Sequence, residues 1–307
     1  MSQLSLMRTR PAISVGMPCY NSERWLEQAV DSLLAQTFGD FELIVCDNAS
    51  IDSTWEILQR YARVDSRVRA HRNAENLGAS ANYNRVFELA TGPYFKWASS
   101  NDWCAPVFLQ VCYDALESDE GAVAACPRAA LFDTRIDEAQ PYAHGLDLRQ
   151  DDAVERFIGA LAIRRNITMN GLMRSTALRK TEMVRPYYGS DCVMVAALAM
   201  QGKLLEIPQT LLFMNDTPST ATWKMPAPEV RRHFTGSTRA MTHQSARNWF
   251  GYWRAVRSAP LTKSQRLRLS RYLLKTLRWG AGDIAREALE ALARDQRDRA
   301  ARSRGDA

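Results

Sequence analysis

Phe95-Lys96-Trp97-Ala98-Ser99-Ser100-Asn101-Asp102-Trp103 is the stretch that decides the fold. An apolar run ends in small polar residues and then a carboxylate. A carboxylate just past the carboxyl end of a buried strand is where open α/β sheets place ligand chemistry. The sequence before it alternates two periodicities. Residues 13–17 form a short β-type run that Pro18 is expected to stop, residues 41–46 form a second, and 68–71 read as a third. Trp25, Ala29, Val30, Leu33 and Leu34 recur at helical spacing after Asn21 or Ser22, either of which can cap. Trp55, Ile57, Leu58 and Tyr61 repeat the pattern after Asp52 or Ser53. The turn 76–80 leads into a helix over 81–90, which Thr91-Gly92-Pro93 breaks. Strand–helix alternation of this kind predicts a parallel, doubly wound sheet. The right-handed crossover rule then puts 19–23, 46–50 and 99–102 along one edge of it.

Beyond Asp102 the pattern predicts a helix over 106–116 and short strands at 122–126 and 129–132. A polar loop covers 133–152, a helix 152–163, and an extended segment 168–174 crosses back to the sheet. Ser190-Asp191 precedes an apolar helix over 192–200, and 203–207 and 210–214 are strand-like. Residues 215–228, with three prolines, read as a loop or lid, and a basic helical region follows from 229. The domains expected are therefore 1–228, with halves 12–132 and 133–228, and 229–307.

The 307 residues suffice for a sizeable core, and 46% apolar with 24% charged residues is ordinary for a globular chain. No apolar run approaches the roughly 20 residues of a membrane helix. The six cysteines show no CxxC spacing, which argues against a zinc cluster and reads as reduced thiols in a cytoplasmic protein. The net charge of +6 is unevenly spread: residues 231–307 carry +12 and the remainder −6. Such a region can face nucleic acid, an anionic membrane or an acidic acceptor, and a solvated helical face is favoured over all three.

Four segments in order resemble the family 2 glycosyltransferases with the GT-A fold. Val15-Gly16-Met17-Pro18-Cys19-Tyr20-Asn21-Ser22-Glu23 is similar to that family's strand ending in P-x-Y-N-x-E. Residues 45–54, Val-Cys-Asp-Asn-Ala-Ser-Ile-Asp-Ser-Thr, resemble its V-x-D-x-S-x-D-x-T segment. Asn76-Leu77-Gly78 with Asn84 resembles its N-x-G…N element, and Ser100-Asn101-Asp102 sits where it carries D-x-D. The resemblance covers 12–132 and, more loosely, the chain to about 214. It implies an α/β fold with a mixed, mainly parallel sheet flanked by helices, here with a C-terminal helical extension. It also implies an inverting, nucleotide-sugar-dependent transferase.

On that resemblance, Asp47 or Asn48 bonds the edge of a uracil, guanine or thymine ring, and Pro18 and Tyr20 form its wall; termination, packing and turn roles compete at each. Asn21 belongs to the same binding set. Glu23 reads equally as a nucleotide contact or as a first-turn helix residue favoured by the dipole. Asn76 and Gly78 lie beside the nucleotide or only make a tight turn, with Gly78 at positive φ. Ser100 replaces the first aspartate of D-x-D, so one carboxylate, Asp102, remains for Mg²⁺ or Mn²⁺ on the diphosphate of a UDP, GDP or dTDP sugar. Ser100 bonds a ribose hydroxyl or a metal-bound water, Asn101 lies with it, and Asp102 also suits a helix cap. The metal is expected to bind weakly or to be dispensable.

Asp191 stands where the family places an acidic residue and is the expected base, deprotonating an acceptor hydroxyl; capping is its alternative role, and Glu182 the alternative base. The family's third metal ligand, often His, has no counterpart in 214–219, where Asp216 is the nearest substitute. Arg174 is a candidate for phosphate or acceptor contact, with a surface arginine as the default. The acceptor is a glycan, a lipid-linked molecule or a small molecule. The competing readings are a non-catalytic nucleotide-sugar binder with a degenerate metal motif and a basic nucleic-acid binder. The last is ranked lowest for want of a motif, and no nucleic-acid partner is expected. In the C-terminal region Trp249, Phe250, Tyr252 and Trp253 interleave with arginines. Packing on the catalytic domain is favoured there over peripheral contact with an anionic membrane.

Overall fold

A computed structural model describes residues 10–142, 145–163, 165–217, 224, 230, 233–235 and 243–303. The chain starts as the sequence predicts. Strand β1 (Ile13–Cys19), helix α1 (Glu23–Leu34), β2 (Phe41–Asp47), α2 (Thr54–Val64), β3 (Val68–Arg72), α3 (Ala79–Glu88) and β4 (Tyr94–Trp97) follow one another. They form the parallel run β3-β2-β1-β4. Every residue of β1, β2 and β4 is buried, as befits parallel strands covered on both faces.

Pro18 does not stop β1. The strand continues through it to Cys19, paired with β2 over its whole length. The pairing of β1 with β4 ends at Gly16, so no neighbour on that side needs the N–H that proline lacks.

The second half is mixed. After β5 (Trp103–Cys104) and α4 (Phe108–Ser118) come β6 (Ala122–Phe132), β7 (Gln140–Tyr142) and α5 (Ala153–Ala160). Then follow β8 (Leu172–Arg174), α6 (Ser175–Leu178), α7 (Ser190–Ala199) and β9 (Lys203–Asn215). The sheet order is β3-β2-β1-β4-β8-β6-β9-β5, with β7 on β6. Strand β8 runs antiparallel to β4 and β6, and β9 runs parallel to β6. The strand pairs expected at 122–126 with 129–132 and at 203–207 with 210–214 are two continuous strands. The expected breaks at Pro127 and Pro208 are register shifts in their ladder, where Pro127 pairs Ile207 and Arg128 already pairs Thr210.

Helix α7 is apolar all round because it is sunk into the core. Buried Arg156 of α5 donates from Nε to the carbonyl of Ala199, at the carboxyl end of α7, at 2.7 Å, where a cation complements the dipole. The helices Gln244–Ser258 and Lys263–Ser303 contribute Ala255, Val256, Leu269 and Leu273 to the same core as α5 and α7. Most of 215–228 lies outside the described residues. Among the described residues no helix is long and apolar enough to cross a membrane. All six cysteines are free thiols.

Candidate active site

The carboxyl ends of β1, β2 and β4 meet as expected, and hydrogen bonds between their loops hold them together. Asn21, at φ 47°, donates from its amide to Ser50 Oγ at 2.9 Å and accepts from the Ile51 amide at 3.1 Å. The hydroxyls of Ser22 and Ser100 lie 2.8 Å apart, joining the β1 and β4 turns. Glu23 accepts from the Ser53 amide at 3.0 Å.

A second net of asparagines fixes the third turn. Asn48 donates to Asn76 Oδ1 at 2.9 Å and accepts from Asn73 at 2.9 Å and from the Leu77 amide at 3.0 Å. Asn76 Oδ1 also takes the Gly78 amide at 2.8 Å, and Gly78 sits at φ 81° before α3. Asn82 of α3 reaches the carbonyl of Cys46 at 2.8 Å and that of Cys19 at 3.4 Å. It thereby joins the ends of β1 and β2, where the Cys19 carbonyl also takes the Asn48 amide at 2.9 Å.

Asp47 is fully buried. Arg72 Nε meets its Oδ2 at 3.0 Å and the Ser50 amide donates to its Oδ1 at 3.1 Å. Arg72 also donates to the Ser50 carbonyl at 2.9 Å while its guanidinium lies over the ring of Trp55. Sequence reasoning missed Arg72, because the third strand was read as ending at His71. The register supplies the signal, since Arg72 is the direct cross-strand partner of Asp47. Of the expected binding set, Asp47 and Asn48 thus have their side-chain polar atoms engaged within the protein, and Asn76 its side-chain oxygen. Pro18 is buried at its strand end, Tyr20 is 44% exposed, and Ser100 and Asn101 are half-buried.

Asp102 is buried at the β4 turn. Its Oδ1 accepts from the Asn215 amide at 2.9 Å, tying the β4 turn to the end of β9. Burial pushes its pKa up to about 6, against the pull of the Asn215 amide, the Ser99 hydroxyl and nearby Lys96. Lys96 is itself buried in β4, donating to the carbonyls of Trp97 at 2.9 Å and Asn170 at 2.8 Å. A cavity of about 10 Å³, room for one water, is lined by Lys96, Ser99, Asp102 and Asn170 among others.

Asp191 occupies the first turn of α7 and accepts from Asn166 Nδ2 at 3.0 Å. Burial raises its pKa, outweighing the hydrogen bonds that favour its charged form. Tyr83 feels the charge of both carboxylates. Its phenol hydrogen-bonds Ser99 and is pushed up to about 12 by burial, with the charges of Asp102 and Asp191 both adding to the rise. Neither Tyr83 nor Asn166 was legible as a site residue, because each acts by position alone.

Other candidates are drawn elsewhere. Glu182 is ion-paired with Arg254 at 2.8 Å. Arg174 is corrected to a structural residue. It pairs with Tyr94, at the amino end of β4, and donates to the carbonyls of Ala122 and Leu116. Asp216 is paired with Lys224 at 2.9 Å and Arg165 at 3.4 Å. Among the described residues no three His, Cys, Asp or Glu side chains converge on a metal position. A magnesium-type ion on a diphosphate needs only one or two protein carboxylates. Asp102 fits as a single ligand, since a carboxylate offers about four acceptor positions and two are taken.

A mixed sheet with loops converging at the carboxyl ends of its strands defines a GT-A architecture. In comparison with solved structures, the chain resembles Staphylococcus aureus TarS 1–349 in complex with UDP-GlcNAc. The TM-score is 0.61 at 14% identity, over 83% of this chain and 69% of that one. It also resembles the mannosyltransferase PcManGT of Pyrobaculum calidifontis in complex with GDP-Man and Mn²⁺, with a TM-score of 0.52 at 15% identity, over 93% and 88%. The family model for glycosyl transferase family 2 matches residues 14–181, and the chain belongs to that family. Bacillus subtilis EpsH, named as a glycosyltransferase, is 29% identical over 188 residues, 58% of this chain and 52% of EpsH. The match thus spans about half the length of that relative.

Proposed function

We propose that the chain transfers a sugar from a nucleoside-diphosphate sugar to an acceptor hydroxyl with inversion, and that Asp191 is the base. The observation that supports this reading is that Asp102 and Asp191, at the β4 turn and in the first turn of α7, both act by their charge on the one buried phenol of Tyr83. The donor-side and acceptor-side carboxylates are therefore neighbours in the fold. Asp191 takes the proton of the acceptor hydroxyl as its oxygen bonds the anomeric carbon. The bond from that carbon to the diphosphate oxygen breaks on the opposite face, and the nucleoside diphosphate leaves. A raised pKa makes Asp191 a better proton acceptor than an exposed carboxylate, provided it is ionised.

Of the expected donor set, Tyr20, Asn21 and Glu23 are exposed and Asn76, Ser100 and Asn101 half-buried, so these have surface to offer a ligand. Arg72 and Asp47 form the floor beneath them. A Mg²⁺ or Mn²⁺ ion held by Asp102 and the diphosphate would supply positive charge to the leaving group. The two fold neighbours are complexes with UDP-GlcNAc and with GDP-Man, so a uridine and a guanosine sugar are both tested as donors. A thermal-shift panel of UDP, GDP, dTDP and CMP sugars, with and without Mn²⁺, is the direct test. One nucleotide class should stabilise the fold, and Asp191→Asn should keep that shift while losing transfer. Wild-type turnover in that variant rejects the base assignment.

A donor set of one carboxylate also supports a second reading, a nucleotide-sugar binder without turnover. Donor hydrolysis in the presence of Mn²⁺ separates the two, because a binder gives none.

A further inference from the structure

Residues 230–282 hold twelve Lys and Arg and no Asp or Glu. Nothing in the proposed reaction uses this segment. Its described part is helical, and the long helix Lys263–Ser303 presents two different faces. Leu269 and Leu273 are buried, and Glu287 accepts from the Ser245 amide at 2.9 Å and from its hydroxyl at 2.7 Å. That side is clamped to the body of the protein. The Trp249 indole adds a hydrogen bond to the Leu273 carbonyl at 2.9 Å.

The opposite side carries Leu267, Arg271, Leu274, Arg278 and Leu289. At 3.6 residues per turn they fall within an arc of roughly 60° and span about 33 Å. Leu267 is 52%, Leu274 61% and Leu289 67% exposed. Arg271 and Arg278 are exposed as well. A helix that merely closes a core has polar residues on its outer side. Here the outer side alternates leucine with arginine, and no carboxylate occurs among residues 263–282 to balance the charge.

We propose that this face lies on a bilayer surface bearing anionic lipid headgroups. Arginines meet the phosphates, and leucines enter the boundary between headgroups and acyl chains. A nucleic acid would use the cations but has no use for leucines set between them. The face also lacks an aromatic ring on which a base could stack: Tyr272 points about 140° away from Leu267 by helical rotation. The inference is independent of the transferase reading, since none of these residues belongs to the proposed donor or acceptor set.

The test is co-sedimentation of the full chain with vesicles of phosphatidylcholine alone and with about one third phosphatidylglycerol. The protein should pellet with the anionic vesicles only, and salt should release it. Arg271→Gln with Arg278→Gln should weaken binding about 30-fold, at roughly fivefold per charge. Leu267→Ser with Leu274→Ser should weaken it about tenfold or more at unchanged charge. Arg271→Lys with Arg278→Lys should bind as wild type does. All three pairs are solvent-facing, and unchanged melting curves verify their folding. The proposal is overturned if wild type ignores anionic vesicles or if the leucine pair binds as wild type. Retention by duplex DNA without vesicle binding overturns it too.

Discussion

Glu23 and Asp52 cap each other's helices. Asp52 Oδ2 accepts the Glu23 amide at the start of α1 at 3.2 Å, and the Glu23 carboxylate accepts the Ser53 amide at the start of α2 at 3.0 Å. Each thereby satisfies a donor the helix itself leaves over and sets a negative charge at its positive end. The family-like spacing of both residues thus has a structural cause as well as a candidate ligand role.

Asp52→Ala and Glu23→Ala should each lower unfolding stability by about 1 kcal/mol. Urea denaturation of both variants measures this. A Glu23→Ala variant of unchanged stability but raised donor KM would make Glu23 a nucleotide contact instead.

Asp191 carries a pH signature of known sign. Its pKa is raised in the folded chain by burial, so the folded state holds that proton more tightly than the unfolded state. Stability therefore falls as pH rises from the ordinary carboxylate value through the raised one. Asp191→Asn removes the effect. It should melt above wild type at pH 8, with the difference shrinking as pH falls, while transfer is lost. In wild type, transfer should decline as pH drops through the raised value, because the base is then protonated. Melting curves and a pH–rate profile check both statements.

Arg72 is expected to be as sensitive as a residue in the core. Arg72→Ala leaves the buried Asp47 carboxylate without its cation. The loss should reach about 2 kcal/mol, below that of a fully buried pair because Arg72 is 41% exposed. Arg72→Lys keeps the charge but loses the fork that holds Asp47 and the Ser50 carbonyl together, so it should rescue only part. Urea titrations give the stability term and nucleotide titration the effect on the pocket.

Lys96→Met should be destabilising by about 2–4 kcal/mol. Methionine reproduces the lysine stem but lacks its terminal ammonium, so the buried carbonyls of Trp97 and Asn170 lose their donor. Unchanged stability would mean that water from the adjoining cavity replaces the ammonium.

The sequence was most readable where one periodicity ran unbroken. The first four strands and three helices were placed within a few residues, because each helix buries one apolar face on a sheet whose strands β1, β2 and β4 are buried throughout. It was least readable where a ladder outlasts a local break. Pro127 and Pro208 look like strand ends, yet the long β6–β9 pairing absorbs both. Strand β8 is only Leu172–Arg174, too short to show its antiparallel direction. In the site, carboxylates announced themselves by type. Whether an oxygen is already claimed cannot be read from type. Asp47 is claimed by Arg72, which sits 25 positions away and becomes its neighbour only through strand register.

The Asn82 amide, joined to the carbonyls of Cys19 and Cys46, has a consequence for ligand affinity. It joins the ends of β1 and β2 in the free protein, so on the proposed reading a nucleotide bound there would lose little conformational freedom. Drift at this asparagine would then weaken substrate capture without removing a single contact to the substrate, and would surface as slack in the cradle.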